Sequence, residues 1–266
     1  MQYAYAVAAA RTGVRIHALC IMSNHIHAVA TDTDGRHPEF TAYAHRLIAL
    51  GIKSMFGVDG TIWSEGGASV QRLVGETAVV EALAYVAVNP VAAGCVRHER
   101  EYSALFLYDE SAARRTRVAR PACFAEDSVL PCEAELVLTP LTTSIHVTDP
   151  VEAARRLRCA TRRRREEAVR ELTSAGRRFI GMRGVLAVDV WTRPRRPVRR
   201  GDLSPTFKGA LREAIRFAAA TLRAFRRAYA EAMEAFRAGR RNVKFPPGTY
   251  LMRKRYGCAV EVAIAA

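Results

Sequence analysis

The sequence lacks any apolar run that approaches the roughly 18 residues of a membrane-spanning helix, although half of its 266 residues are hydrophobic. Its beginning, MQYAYAVAAARTG, has no basic leader and no apolar core followed by a cleavage site, so it is not typical of a signal peptide. The six cysteines are scattered without a CxxC pair, which indicates neither a zinc cluster nor a disulfide framework. We therefore expect a globular cytoplasmic protein with a sizeable core and no membrane partner.

Basic residues are scarce in the first part of the chain only. Residues 1–110 contain 8 Lys/Arg against 11 Asp/Glu, a net charge of −3, whereas residues 111–266 contain 33 against 15, a net charge of +18. An arginine-rich polycation favours a polyanionic partner, and nucleic acid is the commonest. The alternative is charge that serves solubility or reflects a codon bias towards arginine.

The order of apolar and polar residues predicts an α+β first part, residues 1–110, with its elements in a definite order. We expect a helix over residues 2–12, strands over 15–22 and 25–31, a helix over 39–56, short strands at 62–63 and 68–73, and a helix that Thr77 caps and that Pro90 and Gly94 end. The first of these strands is apolar on both faces, which is typical of a central strand covered on both sides.

The remaining chain divides at its prolines and its basic runs. Pro121, Pro131, Pro140 and Pro150 punctuate residues 111–150, which we interpret as a linker with some local structure. Residues 151–266 form a basic, mainly helical region that we expect to contact DNA.

His25 and His27 flank Ile26 at the start of the second predicted strand. Side chains at positions i and i+2 of a strand point the same way, so two imidazoles could share one divalent cation. A His-x-His pair is more often structural. Its position after an apolar strand and a two-residue turn favours the metal hypothesis, because two buried histidines without a partner are costly.

Tyr85 and Asn89 are four residues apart in the helix ALAYVAVNPVAAG, and Glu81 precedes Tyr85 by the same spacing. Positions i and i+4 share a helix face, so a hydroxyl and an amide could approach one site together. From this helix alone, the simpler interpretation is a core tyrosine and an asparagine that precedes a terminating proline.

Together these segments resemble a known family. The run ALCIMSNHIHAVATD, then Trp63, then YVAVNPVAAG, resembles the HUH single-tyrosine transposases, which include the REP-associated tyrosine transposases. HUH stands for His-hydrophobic-His, here His25-Ile26-His27. The resemblance covers about residues 10–108.

The resemblance implies a fold and a function. It implies a ferredoxin-like antiparallel sheet with helices on one side, and Mg²⁺ or Mn²⁺ held by His25, His27 and Asn89. It implies that Tyr85 cleaves single-stranded DNA, usually beside a hairpin, through a 5′-phosphotyrosine intermediate during DNA transposition. Members of the family act as monomers or homodimers.

The chain also departs from the family. Its members begin with a strand before the first helix, whereas this sequence starts at or within that helix. We therefore expect the first strand to be missing and an edge of the sheet to be exposed beside the histidine strands.

The basic region contributes candidate phosphate contacts. They are Arg155, Arg156, Arg162, Arg163, Arg164, Arg165, Arg195, Arg196, Arg199 and Arg200. A solvated helix face is an equally good interpretation of the first run.

Two other functions stay open at this point. One is a catalytically inactive or domesticated nucleic-acid-binding derivative of such a transposase. The other is an unrelated metal hydrolase that uses His25 and His27, for which no further ligand stands at a suggestive spacing.

Overall fold

The computed structural model describes residues 1–64, 68–107, 113–141, 147–189, 192 and 206–261. The α-helices of these residues are α1 (Gln2–Thr12), α2 (His37–Phe56), α3 (Glu76–Ala92), α4 (Pro150–Ser174), α5 (Gly181–Leu186), α6 (Arg212–Arg237) and α7 (Tyr250–Tyr256). The strands are β1 (Arg15–Ile21), β2 (Ile26–Thr31), β3 (Arg72–Val74), β4 (Leu105–Leu107), β5 (Arg114–Ala119), β6 (Glu133–Leu138), β7 (Phe207–Gly209), β8 (Lys244–Phe245) and β9 (Ala259–Val260). No helix in these residues combines the length and apolarity needed to cross a membrane.

A five-stranded sheet organises the first half of the chain. Its order is β2-β1-β6-β5, and β4 also pairs with β1. The β1–β2, β1–β4 and β5–β6 pairs are antiparallel, whereas β6 runs parallel to β1 through the pair Ile16 and Leu138. The predicted α+β class and helical C-terminal region are confirmed, but the sheet is mixed rather than wholly antiparallel.

Helices cover both faces of β1. Ala18, Cys20 and Met22 pack in a core with α3 and α4. Ile16 and Leu19 pack in a second core with α1 and α2. This agrees with the apolar pattern of β1 and differs from the one-sided arrangement that the family resemblance implied. Along the described chain β2 has no strand on its other edge, so the histidine strand ends the sheet.

Residues 111–150 contribute to this sheet instead of only connecting two regions. They contain β5 and β6, and Thr139 donates its backbone N–H to the carbonyl of Ile16 at 2.7 Å. The segment EAELVL alternates charged and apolar residues as a half-exposed strand does. The linker prediction rested on the four prolines of this segment. All four lie outside β5 and β6, so they do not interrupt either strand.

Two local predictions are wrong. Ile62 and Trp63 lie in a bend, where the Trp63 indole donates to the carbonyl of His45 at 2.9 Å and stacks on its ring. Helix α3 begins at Glu76 after Gly75, so Thr77 lies inside it and does not cap it. Pro90 lies within the last turn of α3, which continues to Ala92.

The C-terminal region contacts the first part of the chain through α4, through β7 and through an ion pair between Lys254 and Glu39. Helix α4 packs along α3, and Leu157 and Ala160 enter their shared core. Strand β7 pairs in parallel with β3. Helix α6 and the β8–β9 pair enclose a small core of their own around Phe245.

His17 occupies an irregularity in the β1–β2 pairing, between Ile16 and Ala18, and is buried. Its Nδ1 donates to the carbonyl of Thr139 and its Nε2 accepts from the hydroxyl of Thr31, each at 2.8 Å. Both ring nitrogens are therefore satisfied in the neutral form. Burial lowers the pKa of His17 below its usual value, and the hydrogen bond to Thr139 only partly opposes this.

We predict that His17 makes folding sensitive to mild acid. The unfolded chain takes up a proton near pH 6.5 and the folded chain only at lower pH, so the stabilisation is complete above that value and lost as the pH falls below it. Thermal unfolding of the wild type and of His17→Gln, from pH 8 to pH 5, should give a smaller decrease for the variant. At pH 8 the variant should be less stable by about 1–3 kcal/mol. Equal pH dependence in the two proteins would contradict this role.

Candidate active site

The histidine pair lies where β1 turns into β2. Met22 donates its backbone N–H to the carbonyl of His25 at 2.9 Å, which closes the turn over Ser23 and Asn24. His25 precedes β2 and His27 is its second residue. Their ring centroids are 4.8 Å apart at an interplanar angle of 78°. The structure thus brings both imidazoles to one face, at the end of the sheet.

Helix α3 faces this pair with a polar stripe. Its side chains are buried nearly all round, between the sheet and α4. The exceptions along its middle are Glu81, Tyr85 and Asn89, which recur every four residues. This spacing puts them on one face of the helix. The apolar positions therefore fix the rotation of α3, and that rotation directs the stripe towards the histidines.

Asn89 bridges the two histidines. Its Oδ1 lies 3.3 Å from His25 Nε2, and its Nδ2 lies 3.2 Å from His27 Nε2. Two imidazole nitrogens and one amide therefore converge from elements that are more than 60 residues apart in the chain. The sequence spacing did not require this convergence.

His25 faces an amide oxygen with each ring nitrogen, and the shorter contact indicates which nitrogen donates if the ring is neutral. Asn24 Oδ1 lies 2.7 Å from His25 Nδ1, and a carbonyl oxygen can only accept, so Nδ1 donates. In the neutral ring Nε2 then presents a lone pair to Asn89 Oδ1, which is itself an acceptor. Two acceptors at 3.3 Å repel unless a proton or a cation bridges them.

His27 is neutral at physiological pH. Burial, and then the neighbouring His25, lower the pKa of His27 to about 4. An imidazole that has lost its proton offers a lone pair to a cation. The His27 ring also contacts the Tyr85 ring edge to face, with centroids 5.2 Å apart.

Tyr85 is accessible. Its side chain is 44% exposed, although its helix neighbours on both sides are buried. Across the described chain its hydroxyl has no hydrogen-bond partner. The simpler interpretation of Tyr85 as a core residue does not agree with this exposure.

Two arginines of α4 bind the carboxylate of Glu81. Arg163 donates to its Oε1 at 2.8 Å, and Arg164 donates to its Oε2 through two nitrogens. Burial acts to raise the pKa of Glu81, but hydrogen bonds and charge from Arg164 and Arg163 outweigh it and lower that pKa. Glu81 is therefore an ionised anchor for α4 and is not free to join the histidine pair.

Other arginines of α4 that we predicted to contact phosphates also form ion pairs. Arg165 binds Glu99 at 2.8 Å, and Arg156 binds Glu76 at 3.2 Å. Arg155 binds Glu152 of its own helix. Arg162 is exposed. Phosphate binding by these side chains stays a prediction, and Arg195, Arg196, Arg199 and Arg200 lie outside the described residues.

Sequence reasoning missed one side chain near the site. Lys208 of β7 has its Nζ 5.9 Å from the centroid of the Tyr85 ring. It belongs to the tripeptide Phe-Lys-Gly in the C-terminal region, which matches no motif. Only the pairing of β7 with β3 brings it here, and nothing local in the sequence indicates that pairing.

Among the described residues, no group of three or more His, Cys, Asp or Glu side chains could hold a metal ion. The groups that converge at the histidine pair are the two imidazoles and the Asn89 amide. Comparisons with protein-family models, with curated proteins and with solved structures gave no match.

We predict that the Glu81–Arg164 pair couples α3 to α4. The two side chains are only 26% and 33% exposed, so their attraction is less screened than at an open surface. A double-mutant cycle with Glu81→Gln and Arg164→Gln, measured by chemical unfolding, should give a coupling of about 1 kcal/mol.

The Glu152–Arg155 pair, which lies within α4 and is open to solvent, provides the control cycle. It should show no measurable coupling. Coupling in the control cycle that equals that of Glu81 and Arg164 would mean that the α3–α4 contact does not depend on this ion pair.

Proposed function

We propose that this protein cleaves and rejoins single-stranded DNA, with Tyr85 as the nucleophile and a divalent cation bound by His25, His27 and Asn89. The observation that carries the proposal is the convergence of these four side chains from two distant elements at one open position. The sequence resemblance to HUH single-tyrosine transposases assigns the same four residues. DNA transposition is the process in which such an activity operates.

The donor set suits a divalent cation. His27 is neutral, and the facing acceptors His25 Nε2 and Asn89 Oδ1 call for a positive charge between or beside them. Imidazole ligands suit Mn²⁺ better than Mg²⁺, which prefers oxygen. When bound, the cation would neutralise charge on the scissile phosphate.

Tyr85 supplies the covalent chemistry. A tyrosine hydroxyl is a poor nucleophile near neutral pH, so its placement matters more than its basicity. Its oxygen would form a bond to phosphorus while the bond from phosphorus to the 3′ oxygen breaks. The tyrosine proton leaves to water, and the departing 3′ oxygen takes a proton from water. The product is a 5′-phosphotyrosine and a free 3′-hydroxyl, and the reverse reaction rejoins a strand without ATP.

Exposure of the site favours single strands. Tyr85 is exposed beside the histidine pair, and a stiff duplex, which holds its phosphates on a fixed helical path, is less able to bring one phosphate to both. An unpaired strand can bend to bring one phosphate between Tyr85 and the histidines. The +18 charge of residues 111–266 supports a polyanionic substrate.

The second function to consider is nucleic-acid binding without catalysis. The same +18 charge favours it, because charge alone supports binding whether or not Tyr85 reacts. It differs from the first in one measurable respect, which is the absence of a covalent product.

We predict a covalent adduct with hairpin-bearing single-stranded DNA in the presence of Mn²⁺. It should survive SDS and be visible as a shifted band that carries a label placed on the 3′ end of the DNA, because the tyrosine keeps the fragment downstream of the cut. Tyr85→Phe should abolish it, since the oxygen that forms the bond is gone. Tyr256→Phe, another exposed tyrosine, should react as the wild type does.

Salt-sensitive DNA binding by the wild type without an adduct, under any divalent metal, would instead support the binding protein. An adduct that persists in Tyr85→Phe would contradict the assignment of the nucleophile.

A separate prediction concerns metal binding without DNA. Calorimetric or paramagnetic-resonance titration with Mn²⁺ should show one site, and His25→Ala or His27→Ala should each weaken it at least about tenfold. His37→Ala, which changes an exposed histidine beside Asp32, should leave the affinity unchanged. Equal affinity in all four proteins would exclude this donor set.

A further inference from the structure

Strand β7 places Lys208, a residue of the C-terminal region, near the candidate active site. It pairs in parallel with β3, in the register Arg72 with Phe207, Leu73 with Lys208 and Val74 with Gly209. Gly75 alone separates β3 from α3. A side chain on β7 is therefore positioned relative to the start of the helix that carries Tyr85.

The register directs Lys208 towards α3. Residues opposite each other in a parallel pair point to the same side of the sheet. Leu73, opposite Lys208, packs against the core that α3 shares with β1. Lys208 is half-buried, with its Nζ 5.9 Å from the Tyr85 ring centroid.

Gly209 holds β7 close to β3. A Cβ at this position would lie 3.1 Å from the carbonyl oxygen of Val74 and 3.1 Å from Ile215 Cγ1. These distances are tighter than ordinary van der Waals contact, so the absence of a side chain permits the pairing. Lys208 is thus fixed by backbone pairing and not by a mobile loop.

Charge distinguishes Lys208 from the arginines of α4. The arginines nearest α3, Arg156, Arg163 and Arg164, bind Glu76 or Glu81. Lys208 has no ion pair with any carboxylate of the described chain. A lysine without a carboxylate partner among the described residues, beside an exposed tyrosine, leaves local positive charge available to an anion.

We propose that Lys208 binds the scissile phosphate of a single-stranded DNA substrate beside Tyr85. This inference rests on the proposed function. A lysine ammonium acts as a point charge towards phosphate oxygens and needs no fixed bidentate geometry. It offsets the repulsion between the phosphate and the incoming tyrosine oxygen. The C-terminal region thereby supplies part of the site and does not act only as a DNA-binding appendage.

The experiment measures the single-turnover rate of adduct formation at saturating DNA and Mn²⁺. Lys208→Gln removes the charge, Lys208→Met removes it with an unbranched stem of similar length, and Lys208→Arg keeps it. Lys244→Gln, at an exposed lysine of β8, is the matched control. Circular dichroism and thermal unfolding identify variants that fold.

We expect Lys208→Gln and Lys208→Met to slow the reaction about tenfold to a hundredfold at saturating DNA. Lys208→Arg should keep most of the wild-type rate, and Lys244→Gln should match the wild type. The salt dependence of DNA binding should fall by about 0.7 in logarithmic slope when the charge is lost, as for one phosphate contact on a single strand.

Wild-type rates in Lys208→Gln and Lys208→Met would overturn the proposal and leave the proposed function intact. A loss in Lys208→Arg as large as in Lys208→Gln would also overturn it, because the position would then matter for packing and not for charge. No adduct with the wild-type chain would refute the proposed function, and this inference with it.

Discussion

The burial of α3 between the sheet and α4 is the constraint on which the candidate active site depends. Small and branched apolar side chains cover almost its whole circumference, so the helix can take only one rotation without exposing some of them. That rotation leaves Glu81, Tyr85 and Asn89 as its accessible middle stripe. The positions of the tyrosine and the bridging amide therefore follow from packing and not from their own contacts.

Electrostatics connects the same helix to the basic region. The first part of the chain has a net charge of −3, and several of its carboxylates bind arginines of α4. These pairs are partly shielded and link residues 80 or so positions apart. The carboxylates of residues 1–110 thus neutralise part of the positive charge of residues 111–266. A dense arginine run in a sequence is not, by itself, a free phosphate-binding surface.

Residue spacing within one strand or helix predicted which side chains share a face of that element. The i, i+2 spacing of His25 and His27 and the i, i+4 spacing of Tyr85 and Asn89 placed each pair on a common face. The parallel β1–β6 pairing and the position of Lys208 near Tyr85 depend on contacts between residues far apart in the chain. No short sequence pattern encodes such contacts. The burial of both faces of β1 was predictable because the strand is a continuous apolar run. Strand β6 was not predicted, because the prolines on either side of it indicated a linker.

The distribution of unpaired charge indicates which surface can meet a polyanion. The arginines of α4 that pack towards α3 already have carboxylate partners. Those of α6 have no ion pair with any described residue, and they are Arg212, Arg216, Arg223, Arg226, Arg227 and Arg237. Because β7 directly precedes α6, the lysine beside Tyr85 and these arginines lie on consecutive elements. If the proposed function holds, the lysine beside Tyr85 and the arginines that have no carboxylate partner in the described chain belong to adjacent elements, so binding and chemistry would depend on one part of the chain.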